Sequence, residues 1–162
     1  MKIRGIEIRP AGGNEDLVQV RSLFEEYWAS FGFTPCFQNF GQELLNLPGQ
    51  YAPPGGGLAL AWSSQAAGLT AAGCIAFRRI DDLRCEAKRL YVRPRFRGCG
   101  TGRALLAWVI AAARAAGYRE MLGDTMPEMA RALEMYDRAG FERIAPYGDH
   151  PAAGAIFLRL AL

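Results

Sequence analysis

The chain has 162 residues, 51% of them hydrophobic and 22% charged, with a formal net charge of +3. That length suits one compact domain, expected here to span residues 1–162, and the composition excludes a disordered, charge-rich chain. The charge is uneven: between Arg78 and Arg103, nine Lys and Arg face only Asp81, Asp82 and Glu86, a local cationic surface that suits a small polyanion better than a long nucleic acid.

The first residues, MKIRGIEIRP, lack an apolar signal core. No stretch approaches the roughly 20 apolar residues of a membrane span, so a cytoplasmic protein without membrane association is expected. IRGIEIRP alternates apolar and polar residues like one half-buried strand ended by Pro10 and Gly12-Gly13. Asn14 is then read as the cap of a helix whose Leu17, Val20, Leu23, Phe24, Tyr27 and Trp28 recur at three- and four-residue steps. A short second helix through Gly41–Leu45 ends at Pro48-Gly49. Residues 58–63 and 69–80 read as two strands joined by a tight connection, and 84–92 as a third after the Asp81-Asp82 turn. By the period of two, Glu86 in that third strand shares a face with Lys88, Leu90 and Val92. A helix opening near Gly100 carries Leu105, Trp108, Val109 and Ala112 on one stripe and stops at Gly117. A strand over 118–125, a helix over 128–139 and two closing strands over 141–147 and 155–160 complete the order.

The four cysteines, Cys36, Cys74, Cys85 and Cys99, include no CxxC pair, and His150 is the one histidine. Neither a structural zinc site nor any other metal is expected, and the thiols are read as reduced.

The most specific signal lies between the third strand and the following helix: Arg97, Gly98, Cys99, Gly100, Thr101 and Gly102. Unpaired backbone N–H groups at a helix start attract anions, and missing side chains let phosphate oxygens approach them. A P-loop is excluded because Arg103-Ala104 follows Gly102 where Lys and Ser or Thr are required. A dinucleotide fingerprint is excluded because its third glycine would fall on Arg103 or Leu105.

This R-x-x-G-x-G pattern, following KRLYVRP, resembles the acyl-CoA-binding motif of the GNAT superfamily of N-acyltransferases, and the element order matches that fold over most of the chain. The resemblance implies an α/β (α+β) domain: a mixed, mostly antiparallel central sheet splayed at the cofactor site and flanked by about four helices. It implies that Arg97, Gly98, Cys99, Gly100, Thr101, Gly102 and Arg103 hold the pyrophosphate of acetyl-CoA. Leu90, Tyr91 and Val92 would pair their main chain with the pantetheine arm, and Arg93, Arg95 and Arg103 would screen the phosphates.

Acyl transfer to an amine needs a group to take the ammonium proton and one to supply the departing thiolate. Glu86 lies where the histone-modifying branch of the superfamily carries a general-base glutamate, and an ion pair with Lys88 or an arginine is its other reading. Tyr136, before Gly140-Phe141, matches the tyrosine that protonates the coenzyme thiolate in the family, a core tyrosine being the alternative. Asp124 is read either as an amine-binding carboxylate or as a helix cap before Pro127; Tyr27 and His150 are further candidates for the acceptor side.

The expected activity is transfer of an acetyl or short acyl group from acetyl-CoA to a small-molecule or peptide amine in a ternary complex, with no nucleic-acid or membrane partner and homodimerisation left open. The rival reading is a non-catalytic coenzyme-A sensor or partner-binding module on the same fold.

Overall fold

Turns and glycines divide the chain into hairpins. In the computed structural model, which describes residues 2–3, 5–30, 40–64, 68–148 and 153–162, Gly5 with φ +80° folds Lys2–Ile3 (β1) back onto Ile6–Pro10 (β2). IRGIEIRP is therefore a hairpin and not one strand, because Gly5 takes a left-handed conformation that breaks the run. Strand β2 pairs antiparallel with Gly57–Ser63 (β3), β3 with Thr70–Arg79 (β4), and β4 with Arg84–Val92 (β5). Asp81 closes the β4–β5 turn by accepting the amides of Leu83 at 3.0 Å and Arg84 at 2.8 Å.

The crossover after β5 runs through the helix Thr101–Ala115, so the next strand, Glu120–Thr125 (β6), lies parallel to β5. Glu142–Ile144 (β7) and Ile156–Ala161 (β8) close an eight-stranded sheet of order β1-β2-β3-β4-β5-β6-β8-β7. The helices, in chain order, are Gly13–Ala29 (α1), Phe40–Leu45 (α2), Thr101–Ala115 (α3) and Ala130–Arg138 (α4). Helix α1 starts after Gly12, and Asn14 does not cap it; the Asp16 carboxylate reaches back to the Gly12 amide at 2.9 Å, placing negative charge at the positive end of the helix.

The sheet separates two cores. On one face Leu105, Val109 and Ala113 of α3 bury against Ile75, Phe77, Met121 and Leu158, with Trp108 and Ala112 flanking the stripe. On the other, Val20, Leu23 and Phe24 of α1 bury against Leu60, Cys74 and Tyr91. Strands β3 and β4, covered on both sides, accordingly read as nearly continuous apolar runs. No helix among the described residues is long and apolar enough to cross a membrane.

Two irregularities in β5 position everything that follows. Its parallel ladder with β6 covers only Arg84–Glu86 against Glu120–Leu122, and beyond Glu86 the sheet is splayed. In its ladder with β4, Tyr91 faces Cys74 and Lys88 faces Ala76, so Arg89 and Leu90 together oppose the single residue Ile75, with Arg89 at φ +60°. This β-bulge inserts one extra residue and reverses the alternation beyond it. Glu86 and Lys88 therefore share the α1 face with Arg89 and Tyr91, while Leu90 and Val92 pack on the α3 side. The expected common face for Glu86, Leu90 and Val92 is corrected by that bulge.

Candidate active site

Beyond β5 a 3₁₀ turn, Pro94–Phe96, leads into Gly98 at φ +79° and Gly100 at φ +95°, the latter immediately before α3. Both glycines hold left-handed conformations that other residues resist. The first amide here to reach a backbone carbonyl is that of Ala104, on Gly100 O at 3.0 Å; among the described residues the amides of 98 to 103 make no backbone hydrogen bond. A Cβ on Gly98 would meet nothing within 4 Å, so the loop is open to a ligand. On its inner side the Cys99 thiol and the Thr101 hydroxyl donate to Phe96 O at 3.0 and 3.1 Å, fastening the curve. The Cys99 side chain is thus part of the loop's internal bonding.

The arginines divide into two groups. Arg93 is engaged elsewhere: its Nε and Nη2 grip the Glu26 carboxylate of α1 at 2.6–3.1 Å, and Nη1 donates to Ala71 O at 2.6 Å. The Arg93–Glu26 hydrogen bonds and attraction hold the Glu26 carboxyl below its usual range. Arg93 is thus tied to α1 and to Ala71, whereas Arg95, Arg97 and Arg103 are exposed around the loop. Arg97 also donates through Nε to Val92 O at 2.8 Å. The Arg93 amide bonds Ala72 O at 2.9 Å, so by ladder alternation the Val92 amide turns away from β4, toward the edge that β6 has left.

On the α1 face of the opening lies a chain of charges. Glu86, 3% exposed, has Oε2 at 2.7 Å from Arg78 Nε, while Oε1 accepts the Tyr147 hydroxyl at 2.9 Å and lies 3.3 Å from Lys88 Nζ. Lys88 Nζ also reaches Asp124 Oδ1 at 3.0 Å, bridging β5 and β6 across the splay. Asp124 lies inside β6 and caps no helix; its side chain is 27% exposed.

A protein-family model for the acetyltransferase (GNAT) family matches residues 18–141. The chain belongs to the GNAT acetyltransferase family. An uncharacterised N-acetyltransferase from Schizosaccharomyces pombe is 34% identical over all of this chain and 98% of its own length. An acetyltransferase from Streptococcus agalactiae superposes with a TM-score of 0.81 at 21% identity, covering 99% of this chain and 100% of its own. A Salmonella typhimurium protein solved with acetyl-CoA as its cofactor superposes at 0.68 and 20% identity, covering 98% and 94%. The GNAT chain described here is accordingly an acyl-CoA-dependent acetyltransferase, and the splayed, mixed sheet is the family's fold.

Tyr136 of this GNAT domain lies half-buried on α4, its ring edge-on to Phe141 at 5.1 Å, and its hydroxyl makes no hydrogen bond among the described residues. Burial, then the fields of Tyr27 and Asp124, push its phenol well above the ordinary tyrosine range. Burial raises Tyr27 to about 12 despite the nearby Arg89 charge, and Asp124 adds to that rise. Tyr147 is pushed up likewise, by burial first and then by Glu86 and Asp124. The field of Asp124 thus reaches the phenols of Tyr27, Tyr136 and Tyr147.

His150 lies outside the described residues, as does Cys36. Arg78 and Tyr147 were absent from the candidates. The β4–β5 register could have suggested Arg78, which pairs directly opposite Glu86; Tyr147 approaches from 61 residues away and has no local signal.

Proposed function

We propose that this chain transfers an acetyl or short acyl group from acetyl-CoA directly to an amine bound on the α1 face of the splay. The run of amides from 98 to 103 at the start of α3, which make no backbone hydrogen bond among the described residues, carries the reading. It fits a diphosphate, because backbone donors, the positive helix end and the exposed Arg95, Arg97 and Arg103 all favour negative charge there. The free edge at Leu90–Val92 offers the pantetheine arm main-chain partners, as an added strand would.

When bound, acetyl-CoA supplies an activated thioester carbon. Glu86 takes the ammonium proton through an intervening water, and Asp124, held at one oxygen by Lys88, orients the amine. Main-chain N–H near Leu90–Val92 donates to the carbonyl oxygen as charge develops. The new C–N bond forms as the C–S bond breaks; the nitrogen's second proton passes through water to the departing thiolate, giving the free thiol, while Tyr136 donates a hydrogen bond to the sulfur. Burial makes Tyr136 a reluctant acid but a permanent donor at neutral pH, which suits stabilising the departing sulfur by a hydrogen bond.

A screen of small-molecule and peptide amines, reading free thiol from acetyl-CoA, tests the proposal. Amine-dependent release is expected for at least one class. Tight coenzyme binding without release for any amine would favour the non-catalytic sensor reading instead.

A further inference from the structure

Arg89 is the one residue other than glycine with positive φ among the described residues. An arginine persists in that strained conformation only where its surroundings over-determine it, and here they do. Its Nε donates to Glu43 Oε1 at 3.0 Å and its Nη2 to Glu43 Oε2 at 2.5 Å, with both side chains 8% exposed. Tyr51 donates to the same carboxylate at 2.5 Å. The guanidinium lies over the rings of Trp28, at 5.1 Å, and Phe40, at 5.8 Å, while the Cys74 thiol donates to the Arg89 carbonyl at 3.4 Å. Burial is the largest single influence and would raise the Glu43 carboxyl, but the hydrogen bonds and charge of Arg89, the Tyr51 hydrogen bond and the Lys88 charge together outweigh it and hold Glu43 low.

The held residue is the first of the bulge. Because β-strand groups alternate, the extra residue decides which amides beyond it face β4 and which face the opening. In a regular ladder the Val92 amide would turn into β4; with the bulge it turns toward the splay. We propose that Arg89 and Glu43 are positioning residues: their buried ion pair fastens the bulge to α2 and so aims the Val92 amide at the reacting carbonyl. The inference rests on the transfer reaction proposed above, since that amide has a chemical task only there.

Two conservative variants test it, Glu43→Gln, which keeps the shape, and Arg89→Lys, which keeps the charge but loses the paired donors. Amide hydrogen exchange over residues 87–93 is measured on the free protein, with kcat and KM for acetyl-CoA measured using the best amine of the screen. Faster exchange in that segment is expected, with kcat lower by about 10- to 100-fold, the scale of a misplacement near 1 Å. KM for acetyl-CoA should rise by much less than kcat falls, because the 98–103 cradle does not touch the pair and only the main-chain contacts to the pantetheine arm would shift. Unchanged exchange, or kcat within about twofold of wild type with only a lower Tm, would reduce the pair to an ordinary core ion pair and overturn the proposal. A parallel rise in KM would overturn it too, by showing that the whole edge had moved. Wild-type protein that releases no thiol with any amine, while the variants still exchange faster, would instead remove the transfer reaction and leave the bulge clamp standing.

Discussion

Glu86→Gln separates chemistry from architecture at the buried carboxylate. The substitution preserves shape but removes the charge held between Arg78 at 2.7 Å and Lys88 at 3.3 Å. The structural cost is limited: Arg78 is 37% exposed and keeps Gln50 at 2.9 Å, Lys88 keeps Asp124 at 3.0 Å, and Tyr147 can still donate to the amide oxygen. Losing charge-assisted hydrogen bonds of this kind costs about 1–3 kcal/mol. For a domain of this size that lowers Tm by roughly 2–12 °C. Removing a general base lowers turnover by about 10²–10⁴-fold. The assay is thiol release under saturating acetyl-CoA across pH 6–9, with Tm measured in parallel. The expected result is kcat down by about 100-fold or more with the coenzyme Kd unchanged. A Tm drop with turnover unchanged at every pH would remove Glu86 from the reaction and leave it as the partner of Arg78 and Lys88.

Tyr136→Phe deletes a hydroxyl with no hydrogen-bond partner among the described residues, so stability should hold or rise slightly; kcat should fall by about 10- to 100-fold, the worth of a hydrogen bond to a developing charge. Full turnover would return the residue to a packing role. Gly100→Ala forces a side chain into φ +95°, at a cost of about 1–2 kcal/mol, and isothermal titration should show coenzyme A binding weakened by about tenfold; unchanged affinity would mean that the loop's shape is immaterial to binding. Glu26 and Glu43 are both held below the ordinary carboxyl value of 4.5 in the folded chain. Depressed folded values contribute stability above the unfolded value that is lost as pH falls through the folded ones. The Tm deficit of Glu43→Gln should therefore be full near pH 7 and shrink below about pH 4 as the wild-type carboxyl protonates; a deficit constant down to pH 3 would contradict the shift.

The glycine loop, the β3–β4–β5 meander and the helix over 101–115 were legible because their signals are local: turn residues at short spacing, apolar periodicity, and glycines before a helix start. The bulge was not. Arg89 carries no sign of a positive φ, since the conformation is held by Glu43, 46 residues away, and by aromatic rings from α1 and α2. The missing bulge reversed the face assigned to Leu90 and Val92. Asn14 misled for a related reason: its residue type favours caps, but Asp16 one turn later satisfies the Gly12 amide instead. Glu86 was recognisable as a candidate, but its ties to Arg78 and Tyr147 depend on strand register and on the segment following β7.

Everything turns on whether the amides of 98–103 bind a diphosphate. Calorimetry comparing coenzyme A with pantetheine, which lacks the nucleotide diphosphate, tests this most directly. One site per chain is expected for coenzyme A, with affinity for pantetheine weaker by about 100-fold or more, a difference of about 2.7 kcal/mol. Equal affinity for the two, or no heat with coenzyme A, would contradict it.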